Sequence, residues 1–157
     1  MATLLDSPEP RRVSPGEYPV WDRALALLNR DLAVTLPAQE PLRLLALTPC
    51  DANEPENVYV TLADDEWHGN CLDPDCADDP AAALAEVADA AQETIMDRMW
   101  QAWPVCADHG LGMHPRGADG QLADEEPYWW CAGEASGLVP AHVRAAVGAL
   151  DTLVTRT

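Results

Sequence analysis

Apolar residues between positions 19 and 35 repeat with the period of a helix. They fall three or four positions apart and form one stripe, made of Trp21, Leu25, Leu28 and Leu32. The stripe opens just after Pro19, and proline is favoured in the first helical turn because its missing N–H is not needed there. The pattern therefore predicts a first amphipathic helix, closed by Pro37.

A second and longer stripe predicts the longest element of the chain, a helix over residues 80–103. Asp79 supplies an N-cap and Pro80 the first-turn proline. Pro104 ends the pattern. The residues of the apolar face are Leu84, Val87, Ala91, Ile95, Met99 and Trp103.

Strand signals are shorter and lie on both sides of this helix. Residues 58–62 alternate β-branched and aromatic side chains, and residues 67–70 are placed to pair back with them as a hairpin. Residues 42–47 and 128–131 are further candidate strands. Residues 142–147 could form a helix or a strand: their Ala and Arg content favours a helix, whereas the metal site proposed below favours a strand.

The segments between these elements divide the chain. Residues 1–18 contain prolines and charges without periodicity and are predicted to be a disordered arm. Residues 19–78 form an N-terminal α/β segment. Residues 79–157 contain the long helix and a metal-binding segment, in one compact domain with 19–78, since 157 residues suit a single domain.

Charge limits the kinds of partner. The formal net charge is −18, with nine basic residues against 27 acidic ones. Phosphate backbones and anionic lipid surfaces need clustered Lys and Arg, so nucleic acid and membrane are excluded as partners. A protein with a basic surface remains compatible. The N-terminus lacks the pattern of a signal peptide, and a cytoplasmic location is expected.

Cysteine and histidine spacing predicts a zinc site. The chain has five cysteines, an odd number, and no export signal. Metal ligation or free thiols are therefore favoured over a disulfide framework. Cys106 and His109 are separated by two residues, Cys131 follows an aromatic run, and His142 lies beyond a Gly/Pro-containing turn. Two thiolates and two imidazoles make a closed, structural Zn2+ site.

Two alternatives stay open for these residues. The fourth ligand could be His114, Cys71 or Cys76 instead of His142. Alternatively, Cys106 and Cys131 are ordinary small buried side chains that bind no metal.

Residues 80–150 resemble a group of short zinc-ribbon-like proteins from high-GC Gram-positive bacteria. The shared pattern reads Trp-Pro-x-Cys-x-x-His, then Trp-x-Cys, then His-x-x-Ala-x-x-Gly. In this chain it corresponds to residues 103–109, 129–131 and 142–148. The resemblance implies a zinc-ribbon-like hairpin with Cys106, His109, Cys131 and His142 as ligands, and it brings no activity.

The predicted fold class is α+β, with two main helices, a small antiparallel sheet and a C-terminal zinc-ribbon-like hairpin. The expected function is that of a zinc-stabilised protein-interaction or accessory module, with an inhibitor or immunity protein as a special case. The alternative is a zinc-dependent hydrolase or other small enzyme with an open metal site around His68, Cys71 and His114. No zinc-protease, deaminase, phosphate-loop or nucleophile-elbow motif accompanies those residues.

Overall fold

The computed structural model describes residues 10–47, 53, 56–69, 71–74, 78–106, 110–116, 127–133 and 142–150. Within these ranges the chain forms two helices and two three-stranded antiparallel sheets, which confirms the α+β class. The elements are β1 (Pro10–Arg12), α1 (Pro19–Thr35), β2 (Arg43–Leu47), β3 (Asn57–Thr61), α2 (Pro80–Met99), β4 (His114–Arg116), β5 (Tyr128–Cys131) and β6 (His142–Ala146).

The first sheet has the order β1-β2-β3 and corrects two sequence predictions. Residues 10–12 belong to a strand, with Arg11 opposite Ala46, so the predicted disordered arm is wrong for this part. Residues 1–9 lie outside the described residues. The antiparallel partner of β3 is β2, not residues 67–70, because β2 carries the buried side chains that match those of β3.

Helix α1 follows the predicted stripe, and all four stripe residues are buried. Helix α2 begins as predicted, since the Asp79 carboxylate accepts from the amides of Ala81 and Ala82. It ends at Met99 rather than at residue 103. The cause is Trp100, which adopts the left-handed conformation with φ of 57° and caps the helix by donating its N–H to Met96.

The second sheet has the order β4-β5-β6 and confirms residues 128–131 as a strand. Residues 142–146, for which the sequence left both a helix and a strand open, also form a strand. Pro115 and Trp129 are opposite one another and both buried, so one face of this sheet belongs to the core. The pairing of β5 with β6 shifts register between Trp129 and Trp130. Such a bulge increases the local twist of a strand.

One cluster of buried side chains joins the two sheets and both helices. It includes Leu28 of α1, Val60 of β3, Ile95 of α2 and Trp129 of β5. The described parts of residues 19–78 and 79–157 therefore share a core. The zinc-ribbon-like character of the second sheet remains a prediction.

Candidate metal centre

Residues 105–106 and 110–112 approach one another after α2, and these two short segments are called here the Cys106 turn. The Cys106 N–H donates to the carbonyl of Leu111 at 2.7 Å, and the Gly110 N–H donates to the Cys106 carbonyl at 2.7 Å. Val105 and Gly112 form a β-bridge at the base of the turn. Gly110 has φ of +69°, a conformation that glycine adopts without steric cost. His109, the predicted partner of Cys106, lies outside the described residues.

Cys131 ends β5 and lies directly opposite His142 at the start of β6. Residues that face each other across an antiparallel pair have Cβ atoms roughly 4.5–5.5 Å apart. The backbone thus places the two predicted ligands of the second half-site on neighbouring strands. The His142 side chain is outside the described part of the structure.

The Cys106 turn and the Cys131/His142 pair lie at the same end of the second sheet. His114 is opposite Trp130, and continuing this antiparallel register by one residue puts Met113 opposite Cys131. Met113, just past the turn, donates its N–H to the Pro104 carbonyl at 2.8 Å, which holds the two arms of the turn together. The topology therefore brings Cys106 to the end of the sheet where Cys131 and the His142 backbone lie.

The structure describes the side chains of two of the four predicted zinc donors, Cys106 and Cys131. The side chains of Cys106 and Cys131 are both 0% exposed, belong to one buried cluster, and form no disulfide. Thiolates excluded from water are the ligands that a structural Zn2+ prefers. Among the described side chains no group of three or more potential ligands is close enough to hold a metal, and this set lacks those of His109 and His142. The four-ligand site stays a prediction.

Gln92 of α2 fixes the base of the Cys106 turn. Its side-chain amide donates to the carbonyl of Trp103 at 3.1 Å and also to the carbonyl of Met113. These two carbonyls lie on the incoming and outgoing arms of the turn. A buried amide bonded to both arms restrains their separation, and so contributes to the position of Cys106.

Two indole N–H groups attach this end of the molecule to α1. Trp103 donates to the Thr35 hydroxyl and Trp129 donates to the Asp31 carboxylate, each at 2.7 Å. The two rings pack edge to face, with centroids 5.7 Å apart and an interplanar angle of 77°. Asp31 and Thr35 are four positions apart and therefore on one face of the helix.

Asp31 is the residue at this junction that the sequence analysis missed. It is 0% exposed and also accepts from the amides of Gly148 at 2.6 Å and Leu150 at 3.0 Å. The sequence could have indicated that Asp31 is buried, because it adjoins Leu32 and follows Leu28 by three positions, next to the apolar stripe of α1. A carboxylate in that position needs buried donors, because a buried charge without partners is costly.

The residues of the alternative open site do not converge. His68 lies 3.4 Å from Asp97, Cys71 lines a small cleft with Asp89 and Glu93, and His114 is exposed on β4. Desolvation by surrounding groups raises the pKa of Asp89, while the positive charge of the nearby Arg116 opposes this shift. His68, Cys71 and His114 are all described, and they form no metal-binding group. Cys76, another alternative ligand, is outside the described residues.

Apolar side chains are exposed where α2 meets the Cys106 turn. Trp100 is 91% exposed, Met96 is 45% exposed and Val105 is 44% exposed. Trp100 therefore lies outside the buried cluster that contains Trp103 and Trp129. The left-handed backbone of Trp100 ends the helix and turns this side chain away from the face that Ile95 buries.

Comparisons with known protein families, with curated proteins and with solved structures give no match. Of the helices in the described ranges, neither α1 nor α2 combines the length and the apolar character that crossing a bilayer requires.

Proposed function

We propose that this protein is a small acidic interaction module whose C-terminal sheet is stabilised by structural Zn2+. The ligands are Cys106, His109, Cys131 and His142, and the partner is a cytoplasmic protein with a basic surface. The observation that carries the interaction role is the exposure of Trp100. Support for the metal comes from the two buried thiols at one end of the sheet.

Folding gives no reason for a tryptophan at position 100. The left-handed conformation is unfavourable for bulky residues and is usually taken by glycine or asparagine at a helix C-terminus. With 91% of its surface exposed, the side chain gains almost nothing from burial. Tryptophan, with tyrosine and arginine, is enriched among the few residues that dominate binding energy in interfaces. We therefore assign Trp100 as the anchor for the partner.

The charge of the molecule supports a basic partner. Glu93 and Asp97 are exposed on α2 ahead of Trp100, and the whole chain carries −18. Complementary charge accelerates association and excludes partners of the wrong sign. Arg98 lies 3.8 Å from Asp97 and 3.5 Å from Glu66, so its positive charge neutralises part of the negative charge around Trp100. In this proposal, burial of Trp100 against the partner gives the affinity. The surrounding carboxylates increase the rate of association and discriminate against acidic partners.

The test is capture of a partner by immobilised protein from lysate of the source organism. Wild type is compared with Trp100→Ala and with the control Tyr128→Ala, which removes a 37% exposed aromatic residue from the outer face of the second sheet. Capture should weaken between about 0.05 and 0.5 M NaCl, because the Debye length is near 10 Å at 0.1 M.

The expected result is a basic protein retained by wild type and by Tyr128→Ala and lost with Trp100→Ala. If all three proteins retain the partner equally, Trp100 is not the anchor for the partner. Retention that does not depend on salt would contradict the electrostatic part.

A further inference from the structure

A cavity between the N-terminal halves of α1 and α2 has a lining that the zinc module does not use. Its volume is about 190 Å3. The walls are mainly apolar, with Val20 and Leu27 from α1 and Ala81 and Leu84 from α2. Arg23 is the charged residue of this lining, and it is exposed. The cavity thus combines a hydrocarbon interior with a guanidinium at its mouth.

Arg23 has no carboxylate partner among the described residues. Arg11, Arg12 and Arg98 each form ion pairs, as expected in a chain where 27 acidic residues face nine basic ones. No ion pair or hydrogen bond joins Arg23 to any residue in the described ranges. The planar guanidinium group of Arg23 can donate two parallel hydrogen bonds to one carboxylate. Within the described ranges, no carboxylate therefore competes with a ligand for this cation.

The N-terminus of α2 does not offer a second anion site at this cavity. Pro80 has no N–H, and the amides of Ala81 and Ala82 donate to the Asp79 carboxylate at 3.1 and 3.3 Å. The Ala83 amide donates to the Asp79 carbonyl at 2.8 Å. Recognition of an anion would consequently depend on Arg23. The negative charge elsewhere on the protein is screened over about 8 Å at physiological salt.

The size and lining of the cavity define the ligand. An apolar cavity of about 150 Å3 in another protein accommodates benzene, so about 190 Å3 accommodates one ring or a short branched chain with a small polar group. We propose that this cavity binds a small amphipathic carboxylate, with its hydrocarbon part between α1 and α2 and its carboxylate on Arg23. The proposal is independent of the metal and of the protein partner.

Sodium benzoate is the probe, titrated into the full chain and followed by ligand-observed NMR, with benzyl alcohol as its neutral counterpart. Arg23→Gln removes the charge and leaves a shorter polar side chain. Arg43→Gln is the matched control, since Arg43 likewise forms no ion pair with a described residue but lines a different surface with Leu44 and Pro15. Ala81→Leu fills the cavity without changing the backbone bonds of the α2 cap.

Benzoate should bind wild type and Arg43→Gln with a dissociation constant on the order of 1 mM or tighter. Arg23→Gln should weaken benzoate about tenfold and leave benzyl alcohol unchanged, as loss of a charged hydrogen bond requires. Ala81→Leu should prevent binding of both, with an unchanged circular dichroism spectrum. No saturable binding of benzoate, equal losses in the two arginine variants, or undiminished binding by Ala81→Leu would each overturn the proposal.

Discussion

At the scale of single residues, the polar groups buried at the junction of α1 with the second sheet determine how the candidate centre is held. Asp31 accepts one indole N–H and two backbone N–H groups from two separate segments. The candidate ligand pair Cys106 and His109 could be proposed from the sequence because its two-residue gap is local. The role of Asp31 could not, since its donors are about a hundred residues away, with Trp129 at a separation of 98.

Asp31→Ala should lower the free energy of unfolding by about 3 kcal/mol or more, because it leaves three buried donors without an acceptor. Urea unfolding followed by circular dichroism measures this change. Asp22→Ala is the matched control in the same helix, since among the described residues the Asp22 carboxylate accepts only from one exposed amide, that of Gly16. Similar losses for the two variants would contradict the structural role given to Asp31.

Trp100→Gly should stabilise the protein by about 0.5–1 kcal/mol, because glycine adopts the left-handed conformation without steric cost and the lost side chain is not buried. The same variant should lose partner binding. Met96→Gly, the control four residues earlier inside α2, should destabilise by about 1 kcal/mol. If Trp100→Gly instead destabilises, the tryptophan has a structural role and its assignment as an anchor fails.

At the scale of elements, local pattern predicted both helices and most strands. The stripe of α1 and the cap of α2 are properties of adjacent residues, and the structure confirms them. The pairing of β1 with β2 was not predictable, since residues 10–12 are all exposed and carry no hydrophobic alternation. What holds β1 in place is polar. Arg11 pairs with Glu17 and with Glu56, and Tyr18 donates to Glu56 at 2.7 Å.

These contacts predict a pH dependence of stability. The hydrogen bond from Tyr18, followed by that from Arg11, lowers the pKa of Glu56 below its usual 4.5. A lowered pKa in the folded state gives stability that is present above the unfolded value and is lost as the pH falls through the folded value. The pKa of Glu17 is lowered in the same direction, by its hydrogen bond with Arg11. The raised pKa of Asp89 has the opposite effect on stability, because protonation of this carboxyl at low pH favours the folded state.

Glu56→Gln should therefore reduce the loss of stability on acidification below a pH of about 4.5, by less than about 1 kcal/mol since the pair is partly exposed. Urea unfolding of wild type and variant at a series of pH values measures the difference. Glu40→Gln is the control, an exposed glutamate on the loop after α1. Parallel stability profiles for wild type and Glu56→Gln would contradict the assignment.

At the scale of the whole molecule, the described core is continuous across the predicted segments. Trp103, Cys106 and Cys131 are buried with Leu28 of α1 and Val60 of β3. A metal at the end of the second sheet would thus stabilise more than its own hairpin. Structural zinc contributes on the order of 10 kcal/mol in small modules, comparable with the stability of a whole domain. Loss of the metal should weaken both halves together.

The most direct measurement is the zinc content of freshly purified, tag-free protein, determined by elemental analysis. Wild type and Cys71→Ser should each contain about one zinc per chain, because a single four-ligand site is proposed and Cys71 lies outside it. Cys106→Ser and Cys131→Ser should contain none and should unfold at lower urea concentration. Wild type without zinc, or equal zinc in all four proteins, would contradict the proposed centre.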